Sequence, residues 1–142
     1  MKIQLTVTTN GPMFNGRFKN MYKNALVQAM DETMTVAVNA AEIDYLQKKK
    51  SNPKLPSMII NSFTYKGATK TNDGVTGIAF CAKATAPWAI YVDQGHTLRN
   101  NTWWEGYNFM EAGRQAGEDV AKKIAMYELR KLSKASLVEP YY

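Results

Sequence analysis

The chain has 142 residues, of which 45% are hydrophobic and 21% charged, and it carries a formal net charge of +6. One domain with a packed core fits that length and composition, and wholesale disorder does not. No apolar run approaches the ~20 residues that cross a bilayer, and the opening residues lack the apolar core of a signal peptide.

Residues 2–9, KIQLTVTT, place Ile3, Leu5 and Val7 at alternate positions, which predicts a half-buried strand. Asn10, Gly11 and Pro12 break it. From residue 13 to residue 50 the spacing turns helical. Phe14, Phe18, Met21, Ala25, Ala29, Val36, Ala40 and Ile43 recur at three- and four-residue steps as one apolar stripe. At about 1.5 Å per residue this helix would exceed roughly 45 Å, more than a compact domain of this size needs. A break near the β-branched segment TMTVAV, or a protruding end covered by another surface, would reconcile the two.

Pro53 and Pro56 end the helix, since each disfavours helical backbone in the residue before it. SMIINSFTYKG reads as a short turn entering a strand. ATKTNDG carries turn chemistry, and residues 75–83, VTGIAFCAK, form a second strand that pairs with the first as a hairpin. Its nearly continuous apolar centre predicts burial on both faces. Cys81 lies within it as a small buried hydrophobe. As the only cysteine it makes no internal disulfide, which points to synthesis in a reducing cytoplasm.

Residues 86–94 predict a short helix, with Thr85 as its cap, Pro87 in its first turn and Gly95 ending it in a left-handed conformation. It would bury Trp88, Ile90 or Tyr91, and Val92. After a polar loop, a second long helix lines up Phe109, Gly113, Ala116, Val120, Ile124 and Tyr127. Gly113 and Gly117 cost it roughly 1 kcal/mol each relative to alanine, which points to tight packing against another backbone. Residues 134–142 have no period and read as an extended tail after a single domain spanning residues 1–133. The fold class is therefore α+β: a small antiparallel sheet packed against two long helices, with a short helix after the hairpin.

The stretch YVDQGHTLRNNTWWEG, residues 91–106, holds the only histidine and two of the three tryptophans. A metal site needs three or four ligands at workable spacing, and one histidine with one buried cysteine does not supply them. Asp93 and His96 could form a base and its orienter, but no serine or cysteine nucleophile stands in a fitting context. GPMFNG lacks the lysine and hydroxyl of a phosphate-binding loop. The reading is therefore non-catalytic, without a cofactor. Trp103 and Trp104 are adjacent, so on a regular element they point apart, and burying both beside Asn100, Asn101 and Glu105 is hard. Tryptophan in a polar loop favours a protein interface. The positive charge offers an alternative, a small basic nucleic-acid-binding protein using its lysine patches and this aromatic loop. The lysines of QKKKSNPK and ELRKLSK sit where helices should end, so they also suit a solvated helix terminus.

The order of elements, with WAIYVDQGH and YNFMEAGRQA, resembles the neck or tail-completion proteins of long-tailed bacteriophages, a family that includes tail terminators. Trp88, Tyr91, Val92, Asp93 and Gly95 stand at the places of that family's Y-x-x-Y-V-E-x-G turn, and Phe109 with Met110 at its P-F-hydrophobic helix start. Asn108 stands where the family has proline, and Asp93 where glutamate is commoner. The resemblance spans residues 15–133. It implies a virion structural protein, assembled in the host cytoplasm, that forms a ring, six-fold like the tail tube, at the head–tail junction. The implied partners are further copies of the chain, the tail tube and head-closure proteins, with genomic DNA passing non-specifically through the lumen. Tyr91, Asp93, His96, Arg99, Trp103 and Trp104, with Tyr141 and Tyr142 of the tail, are the residues expected at subunit or partner contacts.

Overall fold

The computed structural model of the protein describes residues 1–9, 18–83 and 85–138. The fold is α+β. In chain order it comprises β1 (Ile3–Thr8), α1 (Lys19–Ser51), a 3-10 turn (Ser57–Ser62), β2 (Phe63–Tyr65), β3 (Thr69–Lys70) and β4 (Gly74–Cys81). There follow α2 (Ala89–Gln94), β5 (His96–Thr97), β6 (Trp103–Trp104) and α3 (Phe109–Val138).

β4 is the central strand. It pairs antiparallel with β1 on one side, from Ile3 opposite Ala79 to Thr8 opposite Gly74, and with β2 and β3 on the other. Both long helices cover one face of this sheet. Ile3, Leu5, Val75, Ala79 and Cys81 point into the core, whereas Ile78 is exposed and Phe80 half-buried on the far face. The expectation that β4 is buried on both faces is thus wrong. With both helices on one side, nothing among the described elements covers the other, and the strand keeps its period-two alternation.

α1 runs unbroken for 33 residues, about 50 Å at the standard rise. Of the two alternatives, a break near TMTVAV does not occur, and the Thr33 and Thr35 hydroxyls donate back to the carbonyls of Ala29 and Asp31 at 2.8 and 2.9 Å. Those bonds satisfy the threonines locally without interrupting the helix. The buried face differs from the expected stripe. It is built by Leu26, Met30, Thr33, Met34, Ala37, Ala41 and Tyr45, whereas Phe18, Val36 and Ile43 are exposed. At 100° per residue the two stripes lie side by side, and Ala25 and Ala29 belong to both. Phe14 lies outside the described residues.

The choice between the stripes follows from contact with α3. A Cβ on Gly113 would sit 2.5 Å from the Ala37 carbonyl oxygen, and one on Gly117 would sit 2.6 Å from Leu5 Cδ1. The two glycines therefore let the helix backbones approach closely over Ala37 and Ala41, as their presence in a helix suggested. α3 is turned in the same sense. Phe109, Met110, Gly113, Gly117 and Ala125 are buried, Val120 and Ile124 half-buried, and Tyr127 is 60% exposed instead of facing inward. The helix also continues to Val138 rather than giving way to an extended tail at residue 134. Residues 134–138 contain neither glycine nor proline, so nothing in them breaks the helix. Tyr141 and Tyr142 lie outside the described residues.

Two polar ties close the open end of the core. Tyr45 donates its hydroxyl to the Pro56 carbonyl at 2.5 Å, and burial raises its pKa to about 12. Lys48, Lys49 and Lys50 occupy the last turn of α1 as anticipated. There Lys49 Nζ also donates to the carbonyls of Pro53 and Leu55.

Candidate interaction surface

Residues 85–110 form one continuous segment whose Ala86, Ala89, Val92, Phe109 and Met110 are buried in the core and whose hairpin carries exposed side chains. α2 starts later than expected. Its N-cap is Trp88, without a side-chain cap bond, so Thr85 does not serve as the cap. Of the residues expected to be buried, Val92 is, Trp88 is half-buried, and Ile90 and Tyr91 are exposed at 36% and 55%. Gly95 ends the helix at φ 93, its amide donating to the Tyr91 carbonyl at 2.9 Å. A Cβ there would lie 2.1 Å from the Trp104 carbonyl oxygen. Only glycine supplies both the sign of φ and the space.

The chain then forms a two-stranded hairpin, with His96 opposite Trp104 and Thr97 opposite Trp103. Its tip is a tight turn in which the Asn101 amide donates to the Leu98 carbonyl and Asn101 adopts φ 63. The Thr102 amide is held by the Asn100 side chain at 3.1 Å. Asparagine tolerates this left-handed geometry, so the polar run NNT is a turn signal. The C-terminal root of the hairpin is tied to the end of α2. The amides of Tyr107 and Asn108 donate to the carbonyls of Val92 and Asp93 at 3.0 and 2.9 Å.

Asp93 is the pivot of this corner. It is 4% exposed, and its Oδ1 accepts the Met110 amide at 3.0 Å in the first turn of α3. There it satisfies a helix-terminal donor and faces the positive end of the helix. Burial pushes its pKa above the usual aspartate range, and the Met110 amide opposes that shift. Expected at a subunit contact, Asp93 is instead enclosed within its own chain. Asn108, just before α3, stands at φ 53, left-handed backbone that asparagine tolerates.

The aromatic residues form an edge-to-face chain. Tyr91 meets His96 at 6.0 Å, His96 meets Trp104 at 5.4 Å, and Trp104 meets Tyr107 at 5.1 Å between ring centroids. His96 is therefore held between two rings, with its Nδ1 3.4 Å from the Tyr91 carbonyl oxygen, while the Asp93 carboxylate accepts the Met110 amide. Among the described residues no group of three His, Cys, Asp or Glu side chains could hold a metal ion, and no helix is long and apolar enough to cross a membrane.

The two tryptophans part company as adjacent strand residues must. Trp104 is half-buried against His96 and Tyr107, while Trp103 is 58% exposed. Of the expected contact residues, Tyr91, Arg99 and Trp103 are thus on the surface of this unit, with His96 half-covered between Tyr91 and Trp104. The sequence reading missed the exposure, full or partial, of three further apolar groups. Ile90 and Leu98 extend the hairpin surface, and Val36, Ile43 and Leu46 line the outer flank of α1. Ile78 and Phe80, on the open face of the sheet, floor two adjoining grooves of about 500 and 520 Å³. Alternation along β4 was the available signal for these last two residues.

No protein-family model matches this chain, and neither a curated protein nor a solved structure matches it.

Proposed function

We propose that the protein is a non-catalytic assembly subunit that forms a ring at the head–tail junction of a long-tailed bacteriophage, terminating the tail or joining it to the head-closure complex. The observation that carries the assembly reading is the exposure of Trp103 at 58% on the hairpin and of Tyr91 at 55% on the adjoining α2, either side of a buried corner. Large exposed aromatic side chains on a hydrogen-bonded hairpin and helix match the anchors that dominate protein interfaces. Covering such a side chain is worth about 1.5–3 kcal/mol, and a ring repeats the gain at every contact. A ring also needs a second, different surface on each copy, and the exposed flank of α1 at Val36, Ile43 and Leu46 supplies a candidate. The virion and its head–tail junction enter through the sequence resemblance at residues 88–95 and 109–110.

The test is Trp103→Ser, followed by sedimentation and by negative-stain images with and without tail tubes. The wild type should form rings that dock on tube ends, and the variant should keep its helix content while losing them. A wild-type chain that stays monomeric at all concentrations and ignores tail tubes would defeat the proposal.

One observation favours a second reading. Lys2 and Lys83 line one groove on the open sheet face and Lys66 the other. The Lys66 ammonium lies 5.7 Å from the Phe80 ring centre, and neither groove has an acidic lining residue. Such a face could meet a nucleic-acid backbone. Salt-resistant, sequence-selective binding by the isolated chain would favour this reading. Weak binding that collapses with moderate salt fits DNA passing through a ring.

A further inference from the structure

The two edges of the main sheet differ. β2 and β3 are three and two residues long and carry Lys66 and Lys70 beside or within them, the features that keep an edge from pairing further. β1 is six residues long, has no proline, and pairs residue for residue with β4 along its whole length. Among the described residues no strand lies on its other side.

Alternation in the ladder shows which backbone groups are open. The Thr9 amide donates to the Asp73 carbonyl at 2.6 Å, so the odd-numbered residues of β1 form the hydrogen-bonded pairs with β4. Gln4, Thr6 and Thr8 therefore direct their amides and carbonyls away from the sheet. Beside this edge runs a groove of about 380 Å³ between β1 and α3, lined on the helix side by Ala121, Ala125 and Met126. Met126 is 41% exposed.

We infer that β1 pairs antiparallel with β1 of a second copy across a two-fold axis through Thr6, joining two sheets into one. The strand is self-complementary in that register. Thr6 lies across Thr6 of the second copy and Gln4 across Thr8, so all three outward residues are used within β1. On the core-facing side Leu5 lies across Val7 of the second copy, which covers the half-buried valine. Threonine–threonine and apolar cross-strand pairs each stabilise an antiparallel pair. Lys122 and Glu118, the latter paired with Arg114 of its own helix, both line the same groove, so a two-fold-related α3 brings charges of both signs to the seam. A contact of this kind is isologous and uses neither the tryptophan hairpin nor the α1 flank, so it does not depend on the ring proposal.

Charge exchange at the axis tests the pairing. Thr6 is exposed and bonds laterally to the Thr76 hydroxyl, so Thr6→Lys and Thr6→Glu should keep the fold, as circular dichroism would verify. Sedimentation of the full chain, and of Trp103→Ser to remove the proposed ring contact, reads the association. Each charged variant alone should self-associate at least roughly tenfold more weakly at low salt, and an equimolar mixture should recover pairing. The Gln4, Thr6 and Thr8 amides should exchange with deuterium more slowly as concentration rises. Unchanged association of both variants, no recovery in the mixture, or unprotected amides in the associated form would overturn the inference. So would protection that appears only when a different protein is added. Loss of rings in Trp103→Ser with the two-fold pair intact is the expected outcome, so the two contacts can fail separately.

Discussion

The corner at Val92, Asp93 and Gly95 and the hairpin tip at residues 97–103 belong to one short stretch, yet they reverse the usual distribution of polar and apolar groups. The corner buries a carboxylate, and the tip exposes an indole. The reason is mechanical. Asp93 is enclosed because α3 must begin where the hairpin returns, and its first-turn amide needs an acceptor. Trp103 is outside because a two-residue strand has two faces and Trp104 occupies the one that meets Tyr107. The corner thus holds the shape, and the tip is free to contact something else.

Substitutions that separate the corner from the tip should rank by how much of the frame they disturb. Gly95→Ala forces a side chain into a positive φ and against the Trp104 carbonyl, and should cost about 3 kcal/mol. In a chain of this size that is roughly 10 °C in the thermal midpoint. Asp93→Ala removes the acceptor at the start of α3 and should cost about 1–2 kcal/mol in denaturant unfolding. Its neutral isostere adds a pH signature. Because burial raises the carboxyl's pKa in the folded chain, the native state holds its proton at pH values where the unfolded chain has released it. This part of the stability therefore increases as pH falls, through the window just above the ordinary aspartate value of about 4. Wild type should gain on Asp93→Asn in that window when melting curves are compared. The opposite slope would show that the Met110 amide outweighs burial.

Trp104→Ala loses the edge contacts to His96 and Tyr107 and should cost about 1 kcal/mol in the same measurement. Trp103→Ser should change stability by less than about 0.5 kcal/mol, while removing ring assembly. A large loss of stability in Trp103→Ser would erase the distinction between frame and tip.

Much of this was legible in the residues. The strand at residues 2–9, both long helices, the turn into a strand after the prolines, and the role of Gly95 all follow from spacing and punctuation. The close approach at Gly113 and Gly117 was legible too, since a helix keeps two glycines only where something must come near. The direction in which each helix faces was not. α1 carries two adjacent apolar stripes, and periodicity finds that such stripes exist without choosing between them. The same limit made Tyr127 look like core, whereas Asp93 was expected at a contact from the loop and the resemblance and is 4% exposed.

By itself the amino-acid sequence determined the first strand, the two long helices and the strands that follow the prolines, because those preferences rest on local backbone sterics and side-chain spacing. It did not show the hairpin at residues 96–104 or the helical course of residues 134–138. Only the tertiary structure decided which apolar stripe is buried, which tryptophan stays outside and where the lone buried aspartate points. Those outcomes depend on α3 settling over Ala37 and Ala41 and on the hairpin returning to α2, contacts between residues far apart in the chain whose geometry no local pattern encodes.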